Sequence, residues 1–155
     1  MSIRTATLTD APGIARLHQQ LIGELAQLNP TMFQPLDQPD LQAVAQYIVG
    51  DSATAFVHGH APVDAFATVT TATTGKGPGI IPHRFAYLVD IYVAPSVRRQ
   101  GVATELLTAV RQWARDQSLD FIQLNVAAQN DAATALYHQL GYRPQYTTLQ
   151  QPLTD

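Results

Sequence analysis

The chain has 155 residues, of which 46% are hydrophobic and 14% charged, with a formal net charge of −3 and no cysteine. This is enough for one domain with a real core, and it excludes disulfides, thiolate nucleophiles and cysteine-based zinc sites. The acidic balance argues against nucleic acid as a partner, since such proteins normally carry a basic face.

Residues 2 to 8 alternate loosely and suit a short strand. Thr9 or Asp10 then offers an N-cap with Pro12 in the first turn, and Ile14, Leu17, Leu21, Leu25 and Leu28 follow at helical spacing. The linker NPTMFQPLDQPD ends this helix with three prolines, and residues 40 to 49 read as a second, shorter helix. TAFVH and APVDAFATVTTAT read as strands around a turn at Gly59, followed by a Gly/Pro loop over 75 to 83. FAYLVDIYV is almost continuously apolar, as expected of a strand buried on both faces. A helix over about 101 to 117, a strand FIQLNV, a helix from Asn130 to Leu140 and a final strand YRPQYTTLQ complete the order, with Gly141 suited to the C′ position. The class is α/β or α+β around a central mixed sheet.

Lys76 in TATTGKGPG does not make a P-loop. No glycine lies over Val69 to Thr74, and Gly77 stands where that motif needs Ser or Thr. His58 and His60 flank Gly59 with no third ligand at metal-site spacing, so no metal is expected; His18 and His138 read as helix-surface residues.

The chemistry concentrates in VDIYVAPSVRRQGVATELL, residues 89 to 107. Pro95 stops the strand because it lacks a ladder donor, and Ala103, Leu106, Leu107, Val110 and Ala114 form a helical stripe beyond it. The helix therefore starts near Gly101, with unpaired amides and positive potential at its first turn. Gly101 keeps a side chain out of that space, and Arg98 and Arg99 add charged donors at the rim. This arrangement suits a diphosphate; a solvated turn is the competing reading.

A second stretch, NDAATALYHQLGY, places Asn130 as a cap and Ala133, Leu136, Tyr137 and Leu140 on one face. Alone, Tyr137 reads as a core tyrosine. Together the two stretches resemble the GNAT superfamily of acyl-CoA-dependent N-acetyltransferases. Its [Gln/Arg]-x-x-Gly-x-[Gly/Ala] is met by Arg98, Gly101 and Ala103, and its Asn-x-x-Ala-x-x-x-Tyr-x-x-x-Gly-[Phe/Tyr] by Asn130, Ala133, Tyr137, Gly141 and Tyr142. The likeness runs from residue 3 to about 149 and is weakest over 28 to 83.

The resemblance implies a single GNAT-type domain over 1–155 with a mostly antiparallel sheet whose fourth and fifth strands splay. It implies acetyl-CoA as cosubstrate and no metal. The amides of Gln100, Gly101, Val102, Ala103 and Thr104 would cradle the CoA diphosphate. The backbone of Ile91, Tyr92 and Val93 would pair with the pantetheine arm, which Asn130 would touch from the other side. Tyr137 takes the family's general-acid position beside the sulfur.

The acceptor is expected to be a small-molecule or peptide amine, in a chain that is monomeric or homodimeric. At a reference pKa near 10.4, only about one primary amine in 2,500 is neutral at pH 7, so a base is needed. Asp90, an ionisable residue inside an apolar strand, is the first candidate, against a purely structural carboxylate; alternation does not fix its face. His83 is the second. Met32 and Phe33 in the linker between the first two helices are candidate walls of the acceptor site.

A degenerate acyl-CoA sensor of the same fold is the alternative, and a nucleotide-binding regulator is a third reading. No apolar run approaches the roughly 20 residues of a membrane span, and MSIRTATLTD lacks a secretion signal's apolar core. A cytoplasmic protein with no membrane partner is expected.

Overall fold

A computed structural model describes residues 3–154. Five strands pair in sequence order: β1 (Ile3–Thr5), β2 (Ala53–His58), β3 (Ala65–Thr73), β4 (Arg84–Val93) and β5 (Ile122–Gln123). The first three pairings are antiparallel and β4–β5 is parallel. A parallel step needs a crossover, and α3 (Val102–Asp116) supplies it. Helices α1 (Ala11–Leu28) and α2 (Leu41–Val49) precede the sheet's centre, and α4 (Asp131–Gln139) follows it. The expected mixed, mostly antiparallel sheet flanked by helices is the fold the chain adopts. Among the described residues, no helix is long and apolar enough to cross a membrane.

Register sorts the strand residues onto two faces. Val57, Phe66 and Tyr92 lie in line, as do Ala55, Thr68 and Asp90. Apart from Thr68 and Asp90, these residues join Ile14, Ala15 and Leu17 of α1 and Val44 of α2 in one core cluster. The alternate residues, Phe56, Ala67, Val69 and Leu88, are buried on the other side of the sheet. The buried stripe of α3, Leu106, Leu107, Val110 and Ala114, takes no part in the first cluster and packs on the sheet as well. A sheet covered on both sides explains why β4 reads as a continuous apolar run.

The chain divides into two compact units, the first ending at Leu124 and the second beginning at Asn125. In the second, the Asn130 side chain accepts a hydrogen bond from the Ala133 amide at 3.2 Å, capping α4. Gly141 follows the helix with φ +94°, the left-handed C′ conformation expected of it. Tyr137 is 8% exposed, and its ring meets that of Tyr142 edge-on at 5.6 Å.

Two expectations fail here. YRPQYTTLQ forms no strand: Tyr146 and Leu149 are 95% and 88% exposed. A strand exists only by pairing its backbone, Pro144 has no amide to offer, and no other strand belongs to this unit among the described residues. FIQLNV, too, is a strand only at Ile122 and Gln123.

Candidate active site

The β3–β4 ladder contains one irregularity. Thr68 pairs with Asp90 but Val69 pairs with Leu88, so Val89 is an extra residue in β4. A bulge of this kind bends the strand and re-aims the side chains beyond it. Strict alternation from Leu88 would put Asp90 on the same face as Leu88. The bulge turns it onto the opposite face, beside α1 and α2.

There Asp90 lines a cavity of about 120 Å³ together with His18, Ala43, Val44, Gln46, Tyr47, Phe66 and Thr68. Its Oδ2 lies 3.8 Å from Nε2 of His18, with side-chain exposures of 25% and 16%. Burial pushes the Asp90 carboxyl above its ordinary range, an effect that His18 opposes. Burial also raises the Tyr47 phenol, helped by the charge of Asp90. A partly desolvated carboxylate of raised basicity, opening on a partly open cavity, has the properties of a general base.

Two further cavity residues carry unsatisfied groups. Nδ1 of His18 and Oγ1 of Thr68 are buried and find no hydrogen-bond partner in the chain. The sequence reading placed His18 on the helix surface, and this is corrected. The signal was present: position 18 falls four after Ile14 and three before Leu21, on the apolar stripe itself.

His83, the second candidate base, stands at the other end of β4. Its Nδ1 lies 2.9 Å from Asp120 Oδ2 and its ring meets Phe121 at 5.5 Å, and it does not line the Asp90 cavity. Phe33 lines a separate, open groove of about 650 Å³ with Glu24, Pro35 and Tyr92, while Met32 is 57% exposed.

On its other edge β4 pairs with β5 only at Ala86 and Tyr87, so the ladder ends while β4 runs on to Val93. The short ladder leaves the edge at Ile91 to Val93 with no strand paired to it among the described residues. Beyond Val93 a short 3₁₀ turn at Pro95–Val97 leads to Arg99 and Gly101, both left-handed at φ +63° and +79°. Gly101 caps α3, whose first internal bond runs from the Glu105 amide to the Gly101 carbonyl. The amides of Val102, Ala103 and Thr104 therefore have no intrahelical acceptor. A Cβ on Gly101 would meet nothing within 4 Å, so the space before those amides is open. The left-handed Arg99, costing about 1–2 kcal/mol, is backbone strain of the kind that gathers at binding sites.

Arg98 differs from expectation. Instead of standing free at the rim, its guanidinium turns back: Nε donates to the Val93 carbonyl at 2.8 Å and a terminal nitrogen contacts both Glu24 oxygens at 3.0 Å. It also covers the Tyr92 ring at 5.4 Å, and the Tyr92 hydroxyl donates to the same carboxylate. The Glu24 carboxylate gives the guanidinium an anionic partner, which accounts for the turn.

Asn130 and Tyr137 belong to the second unit, where burial pushes the Tyr137 phenol up to about 12 with a smaller contribution from Tyr142. Among the described residues no group of three His, Asp or Glu side chains is placed to hold a metal ion.

The profile of the acetyltransferase (GNAT) family matches residues 23–142. A thialysine N-epsilon-acetyltransferase of Sus scrofa is 38% identical over 60 residues, 39% of this chain and 35% of that protein. An aminoglycoside N(6')-acetyltransferase type 1 of Acinetobacter genomosp. 13 is 35% identical over 57 residues, 37% of this chain and 39% of that protein. The matched stretch thus spans well under half the length of these curated relatives. A mutant of the BH1408 protein of Bacillus halodurans superposes with a TM-score of 0.91 at 26% identity, covering 99% of this chain and 100% of that one. The aminoglycoside N-acetyltransferase AAC(6')-Iy, solved with CoA, shares the fold at TM-score 0.74 and 18% identity, covering 99% of each chain.

Proposed function

The chain belongs to the acetyltransferase (GNAT) family, and from that premise we propose that it transfers an acetyl group from acetyl-CoA to a primary amine by direct attack. The observation that carries this reading is Asp90, turned by the Val89 bulge into a partly open cavity where burial raises its basicity.

The open amides of Val102 to Thr104 and the clear space at Gly101 fit a diphosphate, and the free edge of β4 fits an extended amide-bearing arm. To reach a phosphate Arg98 gives up Glu24, an exposed ion pair of about 0–1 kcal/mol, together with its Val93 hydrogen bond and its place over the Tyr92 ring. When bound, acetyl-CoA supplies the thioester acetyl group. Asp90 removes one proton from the substrate ammonium, directly or through water, and frees the nitrogen lone pair that attacks the carbonyl carbon. As the C–S bond breaks, the nitrogen gives its second proton to solvent and the sulfur takes one, the role that the family resemblance would give the Tyr137 phenol, which solvent then reprotonates. That phenol, held up to about 12, keeps its proton throughout the working pH range. Homodimerisation is part of this proposal and draws support from the exposed Tyr146, Leu149 and Leu153; light scattering tests it.

The direct test is thiol release from acetyl-CoA across a panel of primary amines. Amine-dependent release is expected. Acetyl-CoA binding with no release for any amine would instead make the chain an acyl-CoA sensor.

A further inference from the structure

We propose that Glu24 is a positioning residue that acts through Arg98: in the free protein it latches the guanidinium over the edge of β4, and the pantetheine arm of acetyl-CoA binds by displacing that latch. The proposal deepens the acetyl-CoA reading and rests on it for the ligand. Its site rests on the geometry of one peptide group.

That peptide joins Val93 to Ala94. The Ala94 amide donates to the Asp64 carbonyl at 2.9 Å, on the β3 side, where Val93 itself pairs with Ala65. The N–H and C=O of a trans peptide point in opposite directions. The Val93 carbonyl therefore faces away from β3, onto the edge to which no strand is paired among the described residues. An extended arm added to this edge needs such carbonyls as acceptors for its own amides. This one is already taken, because Arg98 Nε donates to it at 2.8 Å.

Further contacts hold the guanidinium in that place. One terminal nitrogen reaches both Glu24 oxygens at 3.0 Å, and the group covers the Tyr92 ring at 5.4 Å. The Tyr92 hydroxyl, on a residue only 6% exposed, donates to the same carboxylate and anchors it. Burial, and then this hydrogen bond, push the Tyr92 phenol up to about 12, so the donor keeps its proton near neutrality. Glu24 stands on α1 and Val93 on β4, so Arg98 straps the helix to the strand edge.

The strap is built to yield. Its ion pair is exposed on both sides, 43% at Arg98 and 47% at Glu24, and exposed pairs are weak. Arg98 also lies three residues before Gly101, whose open amides fit a diphosphate. Without a diphosphate the guanidinium answers to Glu24; with one, a second anion competes for it. Removing the Glu24 charge should therefore tighten cosubstrate binding. A purely structural ion pair predicts the reverse, since its loss loosens the turn before α3 and weakens binding.

The test titrates acetyl-CoA and uncharged pantetheine into the wild-type protein and Glu24→Gln, with Kd taken from amide NMR signals. The Arg98 Nε–H signal, assigned from its loss in Arg98→Lys, reports the latch directly. Glu24→Gln should bind both ligands about two- to fivefold more tightly, the share of one exposed ion pair. The Nε–H should exchange with solvent faster in Glu24→Gln than in wild type, and pantetheine should shift the wild-type signal saturably. Pantetheine separates the latch from simple charge, because removing a negative charge tightens an anionic ligand but not a neutral one. Glu105→Gln, in the first turn of α3, is the matching control and should tighten acetyl-CoA alone.

The proposal is overturned if pantetheine binds while the Arg98 signal stays unmoved, which would mean that the Val93 carbonyl is shared rather than surrendered. It is equally overturned if pantetheine binds neither protein, or binds Glu24→Gln no more tightly than wild type. The wild-type signal needs no variant, so a misfolded Glu24→Gln does not rescue the proposal. Any of these results with acetyl-CoA binding intact leaves the transferase reading standing. Absence of acetyl-CoA binding to both proteins sinks that reading and the latch with it.

Discussion

Replacing Asp90 with Asn removes the charge and keeps the shape, and it has opposite expected effects on turnover and on stability. At pH 7 a primary amine must lose a proton against roughly 4.6 kcal/mol. A positioned base contributes about 10²–10⁴-fold, so kcat should fall by that factor at pH 7. The loss should shrink to less than about tenfold by pH 10, where free amine is abundant. Stability moves the other way. Burial raises the Asp90 carboxyl in the folded state, so the native chain binds more protons than the unfolded one between the two pKa values. The carboxyl's favourable contribution is complete below the unfolded value near 3.9 and is lost as pH rises through the raised folded value. Asn carries no charge at any pH, so Asp90→Asn should melt higher than wild type at pH 8, with the gap closing towards pH 4. Pre-steady-state thiol release from pH 6 to 10 and thermal melts from pH 4 to 8 measure both limbs. A folded variant with an unchanged pH–rate profile and a pH-independent Tm difference would return Asp90 to a structural role.

Gly101→Ala should cost about 1 kcal/mol through its left-handed φ alone, since its Cβ meets nothing within 4 Å; Gly101→Glu should in addition abolish the roughly 2.7 kcal/mol that acetyl-CoA at 100 times its Kd adds to stability, read as a Tm shift. Tyr137→Phe should keep the fold and the KM for acetyl-CoA while lowering kcat by about 10²–10⁴. Because the Tyr137 phenol sits at about 12, its loss should leave any alkaline limb below pH 10 in place, as a full pH profile checks. Asn130→Ala removes the cap on the Ala133 amide and should cost about 1 kcal/mol of stability in a thermal melt.

The fold was legible wherever a local rule acts alone. Helical spacing located α1, Pro95 and Gly101 bracketed the turn before α3, and Asn130 and Gly141 marked the ends of α4. The failed expectations depend on partners. YRPQYTTLQ has strand composition, but composition supplies no neighbour to pair with. FIQLNV pairs over only two residues, because the β4–β5 ladder ends at Tyr87 while both segments continue.

The site divides along the same line, and the Val89 bulge explains why. A strand read by alternation has two faces, and one inserted residue exchanges them for everything beyond it. In the apolar run FAYLVDIYV nothing local marks the insertion, so Asp90 could be found by its chemistry but not oriented. Once the bulge is known, Asp90 must face α1 and α2, and the question becomes which of their residues can answer a carboxylate. Within the cavity, α1 supplies His18 and α2 supplies Gln46 and Tyr47. A histidine on an otherwise apolar helical stripe departs from the core pattern, and such departures concentrate where function overrides stability. His18, the Thr68 hydroxyl and the desolvated Asp90 are three departures sharing one cavity. Each weakens the fold by itself, so their coincidence fits a cavity kept for chemistry rather than for stability.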